Sequence, residues 1–179
     1  MRTEIRLAGF GGQGIGLAGL ILGKAVSLYD GLEAVMTQAY GPEARGGASS
    51  TNLVVADRPI DYPFVQEADI LVTLSQEAYT RFRDEAKPEA LVIIDEDLVQ
   101  PSPQDSCLKV PATKLAEDLG RRIVANVVML GFLTATTGLV ERESIEDAIK
   151  SSVRENVLEL NMKAFAAGYE YARKLKADQ

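Results

Sequence analysis

The chain has 179 residues, of which 46% are hydrophobic and 25% are charged, as expected for one globular domain with an ordinary core. Its net charge of −7, with the acidic residues concentrated between positions 57 and 107, argues against binding to nucleic acid or to an anionic membrane surface. No apolar run reaches the roughly 18 residues of a membrane span, and the first ten residues do not resemble a signal peptide, so we expect a cytoplasmic protein.

Short apolar runs alternate with helical patterns along the chain, which predicts an α/β fold. Strands are expected at about 4–8, 33–37, 49–56, 69–74, 91–94 and 107–110. Helices are expected at about 15–28, 76–86, 111–120, 123–137 and 154–175. The pattern favours a Rossmann-like three-layer sandwich, in which a single domain has helices packed around a mostly parallel sheet.

Two of the helical segments have further features. Residues 123–137 are apolar on nearly every side, and such a helix is either central in the domain or covered by another subunit. We expect the central position, because a single domain needs helices to cover its sheet. Ser144 followed by Asp147 resembles a capping box and predicts a short helix that starts there.

The first loop, between the first strand and the first helix, is rich in glycine. Gly9, Gly11 and Gly14 have the spacing G-x-G-x-x-G. A strand, a glycine turn and a helix in this order bring backbone N–H groups to a phosphate at the amino end of the helix, and glycine lets the anion approach closely. We therefore expect this turn, including Gly12 and the side-chain amide of Gln13, to contact an anionic cofactor group.

Other interpretations of this loop stay open. A dinucleotide site would need an acidic residue about 20 positions further on, at the end of the second strand, where residues 37–39 are Thr-Gln-Ala. A P-loop is excluded because Leu17 follows Gly16 where a lysine is required. The glycines could instead serve only close packing of helix on sheet, and Gln13 could simply face solvent.

A second loop, residues 39–47, strengthens the prediction of an anion site. Arg45 precedes Gly46 and Gly47, so a guanidinium suited to phosphate or carboxylate lies beside backbone free of side chains. Both loops follow strands, and in a parallel sheet both would emerge at the carboxyl edge, where ligands bind. Tyr40 is a weaker candidate for this site, as is Asn126. Alternatively, Arg45 only pairs with Glu43 at the surface.

The two loops, in this order and at this separation, resemble those of the gamma subunits of 2-oxoacid:ferredoxin oxidoreductases. The motifs G-G-Q-G and Y-G-P-E-x-R-G-G are far more specific together than a lone glycine fingerprint. The resemblance is closest to the 2-oxoglutarate branch, with the pyruvate, 2-oxoisovalerate and indolepyruvate enzymes as alternatives. It extends over five segments, residues 8–14, 40–47, 58–60, 110–113 and 124–131.

This resemblance implies that residues 1–179 form one gamma-type catalytic domain of the pyruvate/ketoisovalerate oxidoreductase family. Such a complex decarboxylates a 2-oxoacid on thiamine diphosphate, forms an acyl-coenzyme A and passes electrons through iron–sulfur clusters to ferredoxin. Thiamine diphosphate and the clusters are implied to lie in partner alpha, beta and sometimes delta subunits. The gamma subunit is implied to help shape the active site and to bind coenzyme A. One cysteine and no histidine agree with this division, since a cubane cluster normally takes four thiolates.

The predicted function is therefore that of a gamma subunit without catalytic or metal-binding residues of its own, and inactive alone. Two alternatives from other classes stay open: a self-sufficient oxidoreductase that binds NAD(P) or FAD, and a scaffold subunit without a ligand. The residues predicted to contact the cofactor, coenzyme A, are those of the two loops: Gly9, Gly11, Gly12, Gln13, Gly14, Tyr40, Arg45, Gly46 and Gly47. A contact of the glycine loop and Arg45 with a partner subunit instead of coenzyme A stays open.

Overall fold

The computed structural model describes residues 1–39 and 47–178. In this part of the chain six strands form one sheet, in the order β2-β3-β1-β4-β5-β6. The strands are β1 (Arg2–Phe10), β2 (Glu33–Gln38), β3 (Ala48–Ala56), β4 (Ala68–Thr73), β5 (Ala86–Asp95) and β6 (Cys107–Val110). The helices are α1 (Ile15–Lys24), α2 (Gln76–Phe82), α3 (Ala112–Asp118), α4 (Ala125–Thr137), α5 (Arg142–Lys150) and α6 (Glu155–Ala177).

The sheet is mostly parallel, as predicted. β1 pairs in parallel with β4, β4 with β5, and β5 with β6. Only β3 runs the other way, because it pairs antiparallel with both β1 and β2. β2 therefore points in the same direction as β1, although the two strands are not neighbours.

Two apolar clusters fill the interfaces between the sheet and the helices on its two faces. The larger cluster lies on one face of the sheet, where α1 and α3–α6 pack against residues such as Ile5, Leu53 and Val72. The smaller cluster lies on the opposite face, where α2 packs against Leu71 and Val92. The predicted three layers are present, but one helical layer is much thicker than the other.

α4 lies in the interior of the thicker layer, which confirms the central position predicted for it. Ten consecutive residues of α4, from 125 to 134, are buried. It packs very closely on α6, where the two helices meet at Gly131 and Gly168. A Cβ atom built on Gly168 would lie 1.9 Å from Val128 O, and one on Gly131 would lie 2.1 Å from Phe165 O. This contact therefore requires glycine on both helices.

The boundaries differ from the predictions where contacts distant in sequence intervene. β5 is longer than expected because it includes the polar segment 87–89, where Lys87 forms an ion pair with Asp69. The capping box predicted at Ser144 is wrong, since α5 begins at Arg142 and Ser144 lies within its first turn. Ser144 instead donates a hydrogen bond to Asp30, which also accepts one from Glu141 N at 3.0 Å. Asp30 thus stabilises the start of α5 from a distant part of the chain.

Candidate functional site

The connections of β1 and β4 create a crevice at one edge of the sheet. These two strands are adjacent and parallel, with Ile5 opposite Ile70 and Ala8 opposite Thr73. The helix that follows β1 packs on one face of the sheet, and the helix that follows β4 packs on the other. Ligands of open α/β sheets bind where neighbouring connections diverge in this way, beyond the carboxyl ends of the strands.

The glycine turn lies at this point of divergence. Gly12 and Gly14 have positive φ angles of 93° and 72°, which L-residues with side chains rarely adopt. Gly11 and Gly12 are exposed, and a Cβ atom on Gly12 would meet no atom within 4 Å. α1 starts directly after Gly14, with no side-chain cap and no acidic residue in its first turn. Backbone N–H groups at this turn are therefore available to an anion.

Gln13 ties this turn to the neighbouring strand. Its Oε1 accepts a hydrogen bond from Phe10 N at 2.6 Å, and its Nε2 donates one to Leu74 O at 2.8 Å. The alternative that Gln13 faces solvent is therefore wrong. The same side chain explains why residue 9 is glycine, since a Cβ atom at Gly9 would lie 2.5 Å from Gln13 Oε1. Gln13 thus joins the ends of β1 and β4 on either side of the crevice.

Asn126 supports the turn from α4. Its Nδ2 donates to Gly14 O at 2.9 Å, and its Oδ1 accepts from Val127 N at 2.9 Å. A Cβ atom on Gly14 would lie 2.4 Å from Asn126 Nδ2. Asn126 is 3% exposed, so its role in the structure is to hold the glycine turn against the amino end of α4.

Close packing also explains the glycines that follow in α1. A Cβ atom on Gly16 would lie 2.8 Å from Gln38 Nε2, and one on Gly19 would lie 2.2 Å from Thr51 Cγ2. Helix and sheet thus approach each other closely along this face. Among the loop glycines, Gly11 and Gly12 are those whose exposed surface opens to a ligand, and for Gly9 and Gly14 a contact through backbone atoms stays a prediction.

A cleft of about 320 Å³ adjoins the turn. We call it the glycine cleft, and it is lined by Gly11, Gly12, Gln13, Leu74, Thr113, Arg122, Ile123 and Ala125. Arg122 supplies its positive charge. The guanidinium of Arg122 lies 3.9 Å from Glu117 and both side chains are more than half exposed, so this ion pair holds Arg122 only weakly.

Thr113, on the far side of the glycine cleft, is oriented by a buried carboxylate. Asp95 is fully buried, and its Oδ2 accepts hydrogen bonds from Thr113 Oγ1 at 2.6 Å and from Thr113 N at 3.1 Å. Burial raises the pKa of Asp95, while the hydrogen bonds from Thr113 oppose that rise. Because the hydroxyl proton of Thr113 points to Asp95, its oxygen can act towards the cleft only as an acceptor.

The second loop falls largely outside the described residues. Tyr40, Arg45 and Gly46 lie there, and their predicted contacts stay predictions. Gly47 is described; it precedes Ala48, which pairs with Phe10 at the end of β1. The residues on both sides of the second loop thus lie at the same edge of the sheet as the glycine turn, although Gly47 does not line the glycine cleft.

The strand order bears on the alternative of a dinucleotide site. In the dinucleotide-binding Rossmann fold, the second strand pairs directly with the first and carries the ribose-binding acid at its tip. Here β3 lies between β1 and β2, and β2 ends at Gln38. Among residues 1–39 and 47–178, the edge of this sheet therefore lacks the arrangement that a dinucleotide ribose requires.

The sequence interpretation missed the arginines that precede two helices. Arg122 and its neighbour Arg121 lie just before α4, and Arg154 is the residue before α6. A signal was present, because cations are electrostatically unfavourable at the amino end of a helix and indicate a further role when they occur there.

Over residues 1–39 and 47–178, no group of three or more His, Cys, Asp or Glu residues is arranged to hold a metal ion. In the same ranges, no helix is both long and apolar enough to cross a membrane.

Comparisons with known proteins agree with this geometry. Residues 4–171 match the family described as pyruvate ferredoxin/flavodoxin oxidoreductase. The 2-oxoglutarate synthase subunit KorC of Methanocaldococcus jannaschii is 53% identical over 180 aligned positions, covering 98% of this chain and 96% of the relative.

Two solved structures share the fold. The gamma subunit of a keto/oxoacid ferredoxin oxidoreductase from Geobacter sulfurreducens superposes with a TM-score of 0.88 at 42% identity, over 97% of this chain and 98% of that one. A 2-oxoglutarate:ferredoxin oxidoreductase from Magnetococcus marinus, solved with 2-oxoglutarate, coenzyme A and succinyl-CoA bound, superposes at 0.85 and 22% identity. The superposition covers 97% of this chain and 31% of the Magnetococcus chain. The chain belongs to the pyruvate ferredoxin/flavodoxin oxidoreductase family.

Proposed function

We propose that this chain is the gamma subunit of a cytoplasmic 2-oxoglutarate:ferredoxin oxidoreductase. The complex would oxidatively decarboxylate 2-oxoglutarate, transfer the succinyl group to coenzyme A and pass the electrons to ferredoxin. Support comes from the 2-oxoglutarate synthase subunit of similar length at 53% identity and from the gamma-subunit structure at 42% identity. The whole chain would act as one domain of that complex.

Within the complex, this chain would bind coenzyme A and leave the redox chemistry to its partners. Thiamine diphosphate and the iron–sulfur clusters would lie in the alpha, beta or delta subunits, because one cysteine and no histidine offer too few ligands for a cluster. The structurally similar Magnetococcus enzyme was solved with coenzyme A and succinyl-CoA bound, which supports coenzyme A as a ligand of this complex.

The observation that carries this proposal is the glycine cleft. It combines exposed backbone at Gly11 and Gly12, the uncapped amino end of α1 and the cation Arg122. These groups stabilise a phosphate or pyrophosphate, which coenzyme A provides. Arg45 of the second loop would add a further positive charge from the same edge of the sheet.

Gly12→Ala tests the role of the turn. A methyl group there meets no protein atom within 4 Å, so the fold should persist, but it would occupy the space through which an anion approaches. Gly31→Ala is a matched control: its φ angle is 68°, no atom lies within 4 Å, and it lies between α1 and the start of β2, at the opposite edge of the sheet. Both variants place alanine at a positive φ, at a cost of about 1–2 kcal/mol for Gly31 and more for Gly12, whose φ of 93° lies further from the left-handed minimum.

The measurement is the coenzyme A Michaelis constant of the assembled complex, together with calorimetric titration of coenzyme A into the isolated full-length chain. We expect Gly12→Ala and Arg122→Gln each to weaken coenzyme A binding by about tenfold, as expected for a lost charge-assisted contact, and Gly31→Ala to leave it unchanged. Arg45→Ala should weaken coenzyme A binding or co-purification with partners. Equal constants for wild type, Gly12→Ala and Arg122→Gln would refute the site. Binding of NAD(P) or FAD by the isolated chain would favour the self-sufficient oxidoreductase instead.

A further inference from the structure

A second cleft, of about 350 Å³, lies next to the glycine cleft on the other side of Ile123. We call it the α6 cleft, because half of its lining comes from the start of α6 and the turn before it. It is lined by Gly14, Leu17, Arg121, Ile123, Val124, Asn126, Ser152, Val153, Arg154, Val157, Leu160 and Asn161. Gly14 and Ile123 connect it to the turn and the glycine cleft described above.

Three helices direct their amino ends towards the α6 cleft. Its lining includes residues from the starts of α1, α4 and α6, which are 10, 13 and 23 residues long. None of the three helices has a side-chain cap, and the acidic residue found in their first turns is Glu155 of α6. The positive ends of three helix dipoles thus lie around one cavity. In α4 and α6 some first-turn N–H groups already have partners, since Val127 N donates to Asn126 Oδ1 and Val157 N donates to Arg154 O.

Two arginines add full positive charges to the lining. The side chains of Arg121 and Arg154 are exposed and make no ion pair or hydrogen bond within the described part of the chain. Each lies next to a helix amino end, where its charge is repelled by the helix dipole. In a protein with a net charge of −7 and many carboxylates, two such unpaired guanidinium groups at one cavity indicate an anionic ligand.

Two polar groups in the lining, on Asn161 and Ser152, also lack partners. Asn161 is 6% exposed, and its Nδ2 donates to Val157 O at 2.8 Å, while its Oδ1 accepts no hydrogen bond from residues 1–39 or 47–178. The hydroxyl oxygen of Ser152 is buried and has no hydrogen-bond partner in the same ranges. Burying the Ser152 hydroxyl without a partner costs free energy, and Asn161 Oδ1 is an acceptor left free, so these two groups indicate a ligand that can both donate and accept hydrogen bonds.

We propose that the α6 cleft is a second anion site that binds the phosphoryl group of a small phosphate ester. Arg121 and Arg154 hold the phosphoryl oxygens, the helix dipoles favour their negative charge, and Asn161 accepts a hydrogen bond from a hydroxyl group of the same ligand. The apolar side chains of Leu17, Val157 and Leu160 contact its carbon skeleton. The phosphoryl group belongs either to a separate metabolite or to a distal phosphate of coenzyme A bound in the glycine cleft; the second case rests on the function proposed above.

Pyrophosphate titration of the full-length chain at low ionic strength tests the site directly. We expect saturable binding, with NMR shifts at the amides of Leu17, Val157 and their neighbours. Arg121→Gln combined with Arg154→Gln should weaken it at least tenfold. The matched control is Arg173→Gln, an exposed arginine of α6 outside the cleft. Absence of binding, shifts confined to Gly11 and Gly12, or an equal loss in Arg173→Gln would each overturn the proposal.

Coenzyme A and dephospho-coenzyme A, which lacks the 3′-phosphate, separate the two sources. If the α6 cleft binds the distal phosphate of coenzyme A, the wild-type chain should bind dephospho-coenzyme A about tenfold more weakly than coenzyme A. The double arginine variant should bind the two compounds equally. If the cleft serves a separate metabolite, pyrophosphate still binds with unchanged affinity when coenzyme A is saturating. Should coenzyme A not bind while pyrophosphate binds and shifts the amides of Leu17 and Val157, the proposed function fails and this site stands. Should coenzyme A bind while pyrophosphate does not, the proposed function stands and the α6 cleft is refuted as a phosphate site.

Discussion

Replacement of Gln13 by methionine tests whether one side chain holds the crevice together. Methionine has nearly the same length and volume, so Gln13→Met removes the two hydrogen bonds to Phe10 N and Leu74 O without leaving a cavity. Gln13 is half-buried, between the glycine turn and the end of β4. The change therefore isolates the polar link between β1 and β4.

The expected magnitude follows from those two bonds. A hydrogen bond of this kind contributes about 0.5–1.5 kcal/mol net, so the loss of both should lower the free energy of unfolding by about 2 kcal/mol. In a domain of this size that corresponds to a fall in Tm of about 4–8 °C. Because Gln13 also fixes the turn, coenzyme A affinity should fall as well, if the glycine cleft binds it.

Urea unfolding and calorimetry of the purified chain measure the effect, with Gln66→Met as the matched control. Gln66 is exposed, and its side chain makes no hydrogen bond within the described residues. A difference below about 0.5 kcal/mol between the two variants would refute the reasoning, since that is the range of ordinary surface substitutions.

Gln13→Glu adds a pH test. Its carboxylate would face Leu74 O at neutral pH and destabilise the chain, whereas the protonated carboxyl at low pH can donate to that oxygen and restore stability.

Two further predictions concern packing and pH. Gly168→Ala should lower the free energy of unfolding by about 3 kcal/mol, because its Cβ atom would meet Val128 O at 1.9 Å. Gly23→Ala, whose Cβ atom would lie at an ordinary 3.5 Å from Leu53, should raise it by about 0.5–1 kcal/mol in the same chemical-denaturation assay. Equal stabilities of these two variants would contradict the account of the α4–α6 contact. Burial raises the pKa of Asp95 above its ordinary 3.8, so the stability that this group contributes should be lost as the pH rises from 3.8 through the higher folded-state pKa. A carboxyl carbon NMR titration of Asp95 with a midpoint at or below 3.8 would disprove this.

Much of the fold could be predicted from local patterns. Apolar runs predicted all six strands, and the all-round apolar segment at 123–137 predicted the buried helix α4, because burial depends mainly on hydrophobic periodicity. Strand order could not be predicted in this way. The antiparallel insertion of β3 between β1 and β2 depends on pairing between segments that are far apart in sequence. Likewise, the start of α5 depends on Asp30, more than 100 residues away, rather than on the local pair Ser144 and Asp147.

The candidate site was predictable only in part, for the same reason. The glycine spacing identified the turn, since positive φ angles require glycine locally. The roles of Gln13 and Asn126 depend on Leu74 and Gly14, which only the folded chain brings near them. Arg122 and Arg154 come from loops more than 100 residues beyond the turn, so no local motif could connect them with it.

The contact between Gly131 and Gly168 also has a mechanical consequence. Arg154 lies 14 residues before Gly168, or about 21 Å along a helix that rises about 1.5 Å per residue. α6 can therefore behave as a rigid rod with its fulcrum deep in the protein. A tilt of only about 5° at that fulcrum would displace the far tip by about 2 Å, which is enough to break a hydrogen bond. Substitutions remote from either cleft could thus alter ligand affinity by changing how two helical backbones touch.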